Sequence, residues 1–362
     1  MKKIISLFMA ISIFALTLCS CTNDVPMPKD TKSIKNNELL GHSGITESTK
    51  QGDSIYYSDF EESIYRYDIS SKKTYLINKI DNIYNSIVYN DYIYSNALRA
   101  EKFDLIFTLP MFDTSKGLFK ISLDGKRKKQ ILKKYTINQY TIQNDKIYFT
   151  ADRYNDNIKE GSLFVCDLDG SNEKKIGDNA VSSFYVNDKY AYFYDSSKFY
   201  RLDLQTHAVK DIDYFYDEET KIRDLTYTDN KAYVIYISYT YTIMDVNDLS
   251  FIIDEIDFDT GKVTTRTYKN LCVNSIKIYK DKIYGLYSDY DLGIDSDGGH
   301  PEKGGAHIYR FDLKTGKKED FHRYYDKSDG DFEYFDDGLY YVDINNCGSS
   351  ETNEVKYIDK LT

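Results

Sequence analysis

Two stretches near the middle of the chain decide the fold: Asn144-Asp145-Lys146-Ile147-Tyr148-Phe149 and Leu163-Phe164-Val165-Cys166-Asp167. The first is a polar pair followed by strand-forming residues, and the second runs into a polar turn at Asp169-Gly170. Asn-Asp and Asp-Gly pairs accept the positive φ of tight hairpins, and β-branched and aromatic residues favour strands. The two stretches therefore predict consecutive antiparallel strands of one sheet.

Both patterns recur along the chain, seven times each and in alternation. The turn-then-strand pattern occurs at residues 52–57, 90–94, 144–149, 187–192, 229–233, 280–284 and 336–340. The strand-then-turn pattern occurs at residues 64–68, 118–122, 163–167, 199–203, 253–257, 308–312 and 355–359. Residues 41–362 divide into seven units of about 46 residues or six of about 54, near the period of propeller blades. We predict an all-β propeller of four-stranded antiparallel blades, with seven blades favoured and six as the alternative.

The end of the chain predicts how the ring closes. Only three residues follow Asp359, so the last unit has no outer strand of its own. We expect residues 33–49 to supply that strand and the first inner strand. This exchange would close the ring and remove the free sheet edges that invite aggregation.

One repeat carries a family resemblance. Ile147-Tyr148-Phe149-Thr150-Ala151-Asp152, followed by Leu168-Asp169-Gly170-Ser171-Asn172, resembles the Tyr-Trp-Thr-Asp propellers of the low-density-lipoprotein-receptor family. Residues 41–362 as a whole resemble bacterial receptor-like propeller domains that are found in lipoproteins. The resemblance implies the propeller fold and an extracytoplasmic binding role, and it implies no catalytic residue.

The N-terminus resembles that of a bacterial lipoprotein. Lys2 and Lys3 precede an apolar run over residues 4–18, which has the length of a signal peptide and is short for a membrane span. Leu18-Cys19-Ser20-Cys21 resembles a lipobox, which would make Cys21 the site of lipid attachment. We predict a signal peptide at 1–20, a flexible lipidated tether at 21–40 and the propeller at 41–362, outside the cell membrane. The alternative is an ordinary secretory peptide with a coincidental Cys.

The charge of the chain bears on its partners, and its cysteine content bears on disulfide formation. The formal net charge of −11 would become −13 after cleavage, because Lys2 and Lys3 are lost. Phosphate backbones are bound by basic surfaces, so nucleic acid is not expected as a partner. The processed chain would keep Cys166, Cys272 and Cys347, an odd and scattered set that favours buried free thiols over disulfides.

The candidate ligand-binding residues lie in connections between the predicted blades. Residues 213–219 and 323–326 combine aromatic rings with carboxylates, which suit sugars or basic groups. The ligand-binding candidates are Tyr214, Tyr216, Glu218, Tyr324 and Tyr325. A chain with 37 Tyr also places some of them in loops by composition alone.

A second candidate is a metal site around residues 289–322. Carboxylates at alternate positions beside glycines suit Ca²⁺, and histidines on one predicted hairpin suit Zn²⁺. The candidate ligands are Asp289, Asp291, Asp295, Asp297, His300, His307 and His322. The alternative is a solvated acidic loop beside neighbouring histidines.

The sequence favours a binding protein over an enzyme. It contains no Gly-x-Ser-x-Gly, no Gly-rich phosphate loop, no His-Glu-x-x-His and no paired Cys motif. Our leading hypothesis is a membrane-anchored module that binds an envelope protein, a basic peptide or a glycan. The alternatives are a glycan- or peptide-processing hydrolase or lyase, and a structural spacer. The repeated Arg-x-Asp of residues 66–68, 201–203 and 310–312 is interpreted as scaffold, because it recurs once per repeat.

Overall fold

The computed structural model shows an all-β protein whose sheets follow one another along the chain. It describes residues 25–28, 48–58, 63–79, 83–99, 113–153, 161–176, 181, 183–195, 198–214, 221–228, 230–239, 249–269, 275–279, 282–288, 306–324, 331–335, 338–343 and 354–359. Within these ranges, 27 strands form seven antiparallel sheets, six of four strands and one of three. In each sheet the strands lie in chain order.

We number the sheets as blades 1 to 7 in chain order. Blade 1 contains β1 (Ser48–Gln51), β2 (Ser54–Ser58), β3 (Ser63–Asp68) and β4 (Lys73–Lys79). Blade 2 contains β5 (Ile83–Tyr89), β6 (Tyr92–Arg99), β7 (Asp113–Ser122) and β8 (Lys128–Ile131). Blade 3 contains β9 (Tyr135–Gln143), β10 (Lys146–Arg153), β11 (Ser162–Asp167) and β12 (Lys174–Lys175). Blade 4 contains β13 (Ser183–Val186), β14 (Tyr190–Tyr194), β15 (Lys198–Asp203) and β16 (Val209–Asp213).

The remaining blades continue the same order. Blade 5 contains β17 (Lys221–Thr228), β18 (Lys231–Tyr239), β19 (Leu249–Asp257) and β20 (Val263–Lys269). Blade 6 contains β21 (Ser275–Tyr279), β22 (Lys282–Ser288), β23 (Ala306–Asp312) and β24 (Lys318–Tyr324). Blade 7 contains β25 (Asp331–Phe335), β26 (Gly338–Asp343) and β27 (Glu354–Asp359). In every blade we call the strands a, b, c and d from first to last.

The first strands of neighbouring blades contact one another, which places strand a innermost and strand d outermost. These contacts join β1 to β5, β5 to β9, β13 to β17, β17 to β21 and β21 to β25. The predicted β-propeller is confirmed, with six blades of four strands and, within the described residues, three strands in blade 7. β1 supplies the inner strand of blade 1, whereas residues 33–47, expected to complete blade 7, lie outside the described residues.

The predicted hairpin chemistry is present in the turns. Asn144 and Asp145 both have positive φ, at 50° and 56°. Gly125, Gly170, Gly261 and Gly316 have positive φ in the turns from strand c to strand d, and Gly125 and Gly170 belong to Asp-Gly pairs, which predict such turns. Gly170 also approaches the preceding blade closely, since a Cβ there would lie 3.2 Å from Ile131 Cβ.

The core lies between blades and is rich in aromatic rings. Between blades 2 and 3, Tyr94 and Leu118 face Phe149 and Phe164, whose rings stack at a centroid distance of 5.3 Å. Cys166 is a free thiol buried in the same cluster, as predicted for this cysteine. Cys272 and Cys347 lie outside the described residues.

The Arg-x-Asp repeat does serve the scaffold. Asp312 accepts hydrogen bonds from the Thr315 amide at 2.7 Å and from Thr315 Oγ1 at 2.9 Å, which caps the turn. Arg310 pairs with Glu319 on the neighbouring strand, with an N–O distance of 2.5 Å. These contacts join strands c and d within one blade and hold their turn.

Residues 25–28 lie against blades 1 and 2. Val25 is 8% exposed and belongs to the buried cluster that contains Ile77 of β4 and Leu123, which directly follows β7. Arg66, which is fully buried, donates a hydrogen bond from a terminal guanidinium nitrogen to the carbonyl oxygen of Pro26 at 2.7 Å. Part of the segment predicted as a flexible tether is therefore docked on the domain.

In the part of the chain that is described, no helix is long and apolar enough to cross a membrane.

Candidate functional site

Three buried side chains, Tyr194, Tyr214 and Asp254, form a tyrosine–aspartate cluster with the half-buried Tyr236 between blades 4 and 5. Asp254 is 5% exposed and Tyr214 is 3% exposed. The hydroxyl groups of Tyr214 and Tyr236 donate to Asp254 Oδ2 at 2.6 and 3.1 Å. The ring of Tyr194 contacts that of Tyr214 edge-on, with centroids 5.7 Å apart. The cluster thus holds a carboxylate among three aromatic rings.

Strand alternation directs Asp254 into this interface. Asp254 lies in β19, between Val234 of β18 and Thr265 of β20. Its neighbour Ile253 belongs to the core between blades 5 and 6, so the two-residue period sends Asp254 to the opposite side, toward blade 4. Tyr214 reaches the carboxylate from the connection that follows β16.

The sequence contains a signal for this site. Asp254 is the second residue of the strand-then-turn pattern at 253–257. Five of the other six copies carry an aromatic residue at this position: Tyr65, Phe119, Phe164, Tyr200 and Tyr309. Asp254 thus carries a carboxylate at a position that holds an aromatic ring in most other repeats. This difference from the other repeats points to a special role.

The two phenols are fixed as hydrogen-bond donors. Burial, followed by the hydrogen bond to Asp254, raises the pKa of Tyr214 well above its ordinary value. Burial and the nearby Asp254 carboxylate likewise raise the pKa of Tyr236. Both side chains therefore stay protonated at neutral pH and keep their hydrogens directed at Oδ2.

The other carboxylate oxygen lacks a partner. No hydrogen-bond donor within the described ranges reaches Asp254 Oδ1, and no Lys, Arg or His there forms an ion pair with this carboxylate. Leaving a buried polar atom unsatisfied is costly, so native structures rarely do so. An ammonium, a guanidinium or a hydroxyl group would supply the missing donor.

Of the five predicted ligand-binding residues, only Tyr214 has a described side chain. Its ring is buried in the core cluster that residues of blades 4 and 5 form. Tyr324 is the last residue of β24, and its side chain lies outside the described part. Tyr216, Glu218 and Tyr325 also lie outside it, as does Cys21.

The metal candidates are only partly described. Asp289, Asp291, Asp295, Asp297 and His300 lie outside the described residues. The ladder pairs His307 with Arg323 and Ile308 with His322. His307 and His322 thus lie on neighbouring rungs of one ladder, and their side chains are outside the described part of the chain. Among the described side chains, no group of three or more His, Cys, Asp or Glu could hold a metal ion.

Several carboxylates with lowered pKa lie in the turns from strand c to strand d. Backbone donation from Thr206, Thr260 and Thr315 lowers the pKa of Asp203, Asp257 and Asp312, respectively. Each is the last residue of a strand c and caps its own turn. These shifts are explained by the scaffold and indicate no catalytic site.

Comparisons with solved structures agree with the fold. The N-terminal domain of Nup159 matches with a TM-score of 0.52 and 9% identity, over 87% of this chain and 91% of that one. Nup159 in an S. cerevisiae complex with Dbp5 and Gle1 gives 0.51 and 10%, over 87% and 90%. The AfRom2 CNH domain gives 0.50 and 10%, over 91% and 98%. The chain has a β-propeller fold. No family model and no curated protein matches its sequence.

Proposed function

We propose that this protein is an extracytoplasmic lipoprotein whose propeller binds a basic segment of an envelope protein or peptide, without catalysing a reaction. The observation that carries the proposal is Asp254: its carboxylate is buried, two tyrosines orient it, and Oδ1 has no partner within the described residues. A cationic side chain would complete the hydrogen bonding of Oδ1 and neutralise the charge.

The surroundings of Asp254 suit a cation better than a neutral group. Charge-assisted hydrogen bonds are roughly twice as strong as neutral ones. Aromatic faces such as those of Tyr194 and Tyr214 also attract ammonium and guanidinium groups. The overall charge of −11 would favour approach of a basic partner. Sugar hydroxyls remain the second ligand class, since they too can donate to a carboxylate.

The proposed extracytoplasmic location is supported by the sequence of the first 21 residues. A basic start, an apolar run over 4–18 and the lipobox-like Leu18-Cys19-Ser20-Cys21 support export and acylation at Cys21. The hydrolase or lyase alternative has no comparable observation among the described residues, where the lowered carboxylate pKa values of Asp203, Asp257 and Asp312 belong to turn caps.

Binding to an array of Lys- and Arg-rich peptides, neutral peptides and envelope glycans tests the ligand. The full-length protein in detergent is compared with Asp254→Asn, which keeps the side-chain shape and removes the charge. Asp259→Asn, an exposed position on the same blade, is the matched control. We expect Asp254→Asn to weaken binding to basic peptides by about tenfold or more, and Asp259→Asn to bind normally. Equal binding by all three proteins would contradict the proposal.

Acylation is tested separately. Cells expressing the protein are labelled with a fatty acid analogue, and Cys21→Ala is compared with Cys19→Ala. Label on the native chain and on Cys19→Ala, with none on Cys21→Ala, would support anchoring at Cys21. Label that persists on Cys21→Ala would contradict it.

A further inference from the structure

The outer edge of blades 1, 2 and 3 is strongly basic. We call this surface the basic rim; it comprises the turns from strand c to strand d, the outer strands and residues 132–134. Its exposed cations are Lys72, Lys73, Lys79, Lys126, Arg127, Lys128, Lys129, Lys133, Lys134, Lys174 and Lys175. Against these eleven positive charges stand three carboxylates, Asp124, Asp169 and Glu173. A protein with a net charge of −11 therefore concentrates positive charge on one edge.

The basic rim is continuous from blade to blade. Asn78 of β4 donates to the carbonyl oxygen of Gly125 at 3.3 Å and accepts from Lys128 Nζ at 3.5 Å, which joins blades 1 and 2. Lys134, in the connection from blade 2 to blade 3, pairs with Glu173 of blade 3 at 3.0 Å. The lysines of three blades thus form one patch.

Among the described outer strands and their turns, the positive charge is concentrated on blades 1 to 3. The corresponding turns and outer strands of blades 4, 5 and 6 are residues 204–213, 258–269 and 313–324. They contain eight Lys or Arg against five carboxylates. The excess positive charge is therefore much larger on the half formed by blades 1 to 3.

The docked residues 25–28 meet the protein at this same edge. Val25 belongs to the buried cluster that contains Ile77, an outer-strand residue, and Leu123, which directly precedes the turn at Asp124. Only three residues separate Val25 from Cys21. An extended chain covers at most about 3.5 Å per residue, so the Cα atom of Cys21 lies within about 14 Å of that of Val25.

We propose that the basic rim rests on an anionic lipid headgroup surface beside the acyl anchor, an inference that depends on the proposed lipid attachment at Cys21. Lysines near an anionic bilayer each strengthen partitioning by about fivefold, and basic patches commonly supplement acyl chains. Met27, whose side chain is 51% exposed, adds an apolar contact in the docked segment. Apart from residues 132–134, the rim consists of outer strands and of turns from strand c to strand d, at the end of the strands opposite the connection with Tyr214. That connection is therefore directed away from the bilayer.

Lysine footprinting of the anchored protein tests this orientation. The full-length lipidated protein is reconstituted in vesicles of phosphatidylglycerol or of phosphatidylcholine, and lysine acetylation rates are read by peptide mass spectrometry. We expect Lys128, Lys129 and Lys174 to be modified about fivefold more slowly on phosphatidylglycerol, and high salt to remove this protection. Lys269 and Lys318, on the outer strands of blades 5 and 6, and Lys262, which directly precedes β20, should react equally on both vesicles.

Charge reversal supplies the matched variants. Lys128→Glu/Lys129→Glu/Lys174→Glu should abolish protection of the remaining rim lysines, whereas Lys262→Glu/Lys269→Glu/Lys318→Glu, with the same change in net charge, should retain it. Equal protection on both lipids, or protection by soluble polyphosphate with none on anionic vesicles, would overturn the proposal. Flotation of the vesicles reports anchoring independently. Protein that floats without rim protection refutes only the rim, whereas protein that fails to float refutes attachment at Cys21.

Discussion

Tyr214 donates a 2.6 Å hydrogen bond to Asp254, which lies 40 residues further along the chain on the third strand of the next blade. The bond ties the connection between blades 4 and 5 to the middle of blade 5. It also holds in place the carboxylate on which the proposed ligand contact depends. A single contact therefore contributes to both the stability of the interface and the geometry of the candidate site.

Removal of this donor should destabilise the protein. We expect Tyr214→Phe to lower the free energy of unfolding by about 1–2 kcal/mol, because Asp254 Oδ2 loses its shorter hydrogen bond. Asp254→Asn should cost less, since an amide oxygen still accepts from both phenols. Denaturant unfolding of the two single variants and the double variant measures their coupling, expected to be about 1 kcal/mol. Additive effects would show that the two side chains are not coupled.

The buried tyrosines predict loss of stability at alkaline pH. Burial, with a smaller effect of the hydrogen bond to Asp195, raises the pKa of Tyr200 to about 12. Burial also raises the pKa of Tyr56, Tyr94, Tyr140, Tyr148, Tyr214 and Tyr236. An unfolded tyrosine titrates near pH 10, so above this pH the unfolded state binds fewer protons than the folded state. The stabilisation is complete below about pH 10 and falls as the pH rises further.

Tyrosinate absorbance near 295 nm, followed together with far-ultraviolet circular dichroism, checks this expectation. The buried tyrosines should ionise only as the sheet signal is lost, after the exposed ones. Ionisation of all tyrosines near pH 10 with an intact sheet signal would contradict it.

Much of the fold could be predicted because each repeat carries its own local chemistry. Asn144-Asp145 and Asp169-Gly170 specify tight turns, and the residues between them alternate as strands do, without reference to the rest of the chain. The tyrosine–aspartate cluster could not be predicted in this way. It joins a connection after blade 4 to a strand of blade 5, and contacts between blades leave no spacing rule in a single sequence. The one local sign was Asp254 in a position usually occupied by an aromatic ring.

Composition also failed to predict where residues 25–28 would lie. A segment rich in Pro and polar residues normally cannot form a core. Here the propeller provides the apolar surroundings, because Val25 belongs to a cluster of buried residues from blades 1 and 2. The carbonyl oxygen of Pro26 also accepts a hydrogen bond from the buried Arg66.

Loss of Arg66 should release this segment. The Arg66 guanidinium is fully buried, pairs with Asp68 at 2.8 Å and lies 4.8 Å above the Tyr75 ring. Breaking such a pair leaves its partner uncompensated, so we expect Arg66→Ala to cost about 3 kcal/mol. Amide exchange at Val25 and Met27 should accelerate in the same variant. Arg127→Ala, at an exposed position of blade 2, should change stability by less than about 0.5 kcal/mol and leave exchange unchanged. Unaltered exchange in Arg66→Ala would show that the segment is held by other contacts.

Substitutions at two glycines distinguish the cost of backbone strain from the cost of a contact between blades. Gly170 and Gly261 have φ of 83° and 72°, but only at Gly170 would an alanine methyl group have neighbours within 4 Å, the nearest being Ile131 Cβ. Gly261→Ala should cost about 1 kcal/mol from backbone conformation alone. Gly170→Ala should cost more, because Ile131 must also move. Thermal or denaturant unfolding measures the loss of stability in each variant. Equal losses of stability would show that the turn of blade 3 can shift without additional cost.

The turns from strand c to strand d contact the preceding blade, and these contacts imply an order in which the blades are completed. Gly125 contacts Asn78 of the blade before it, Gly170 contacts Ile131, and Gly316 accepts a hydrogen bond from Tyr268. In each case the later blade covers the outer strand of the earlier one. During synthesis the N-terminal blades form first. The outer strand of each of these blades is therefore covered only after the next blade has folded. A nascent chain halted within the series would always leave its newest outer strand bare, open to chaperones, proteases or pairing with another copy.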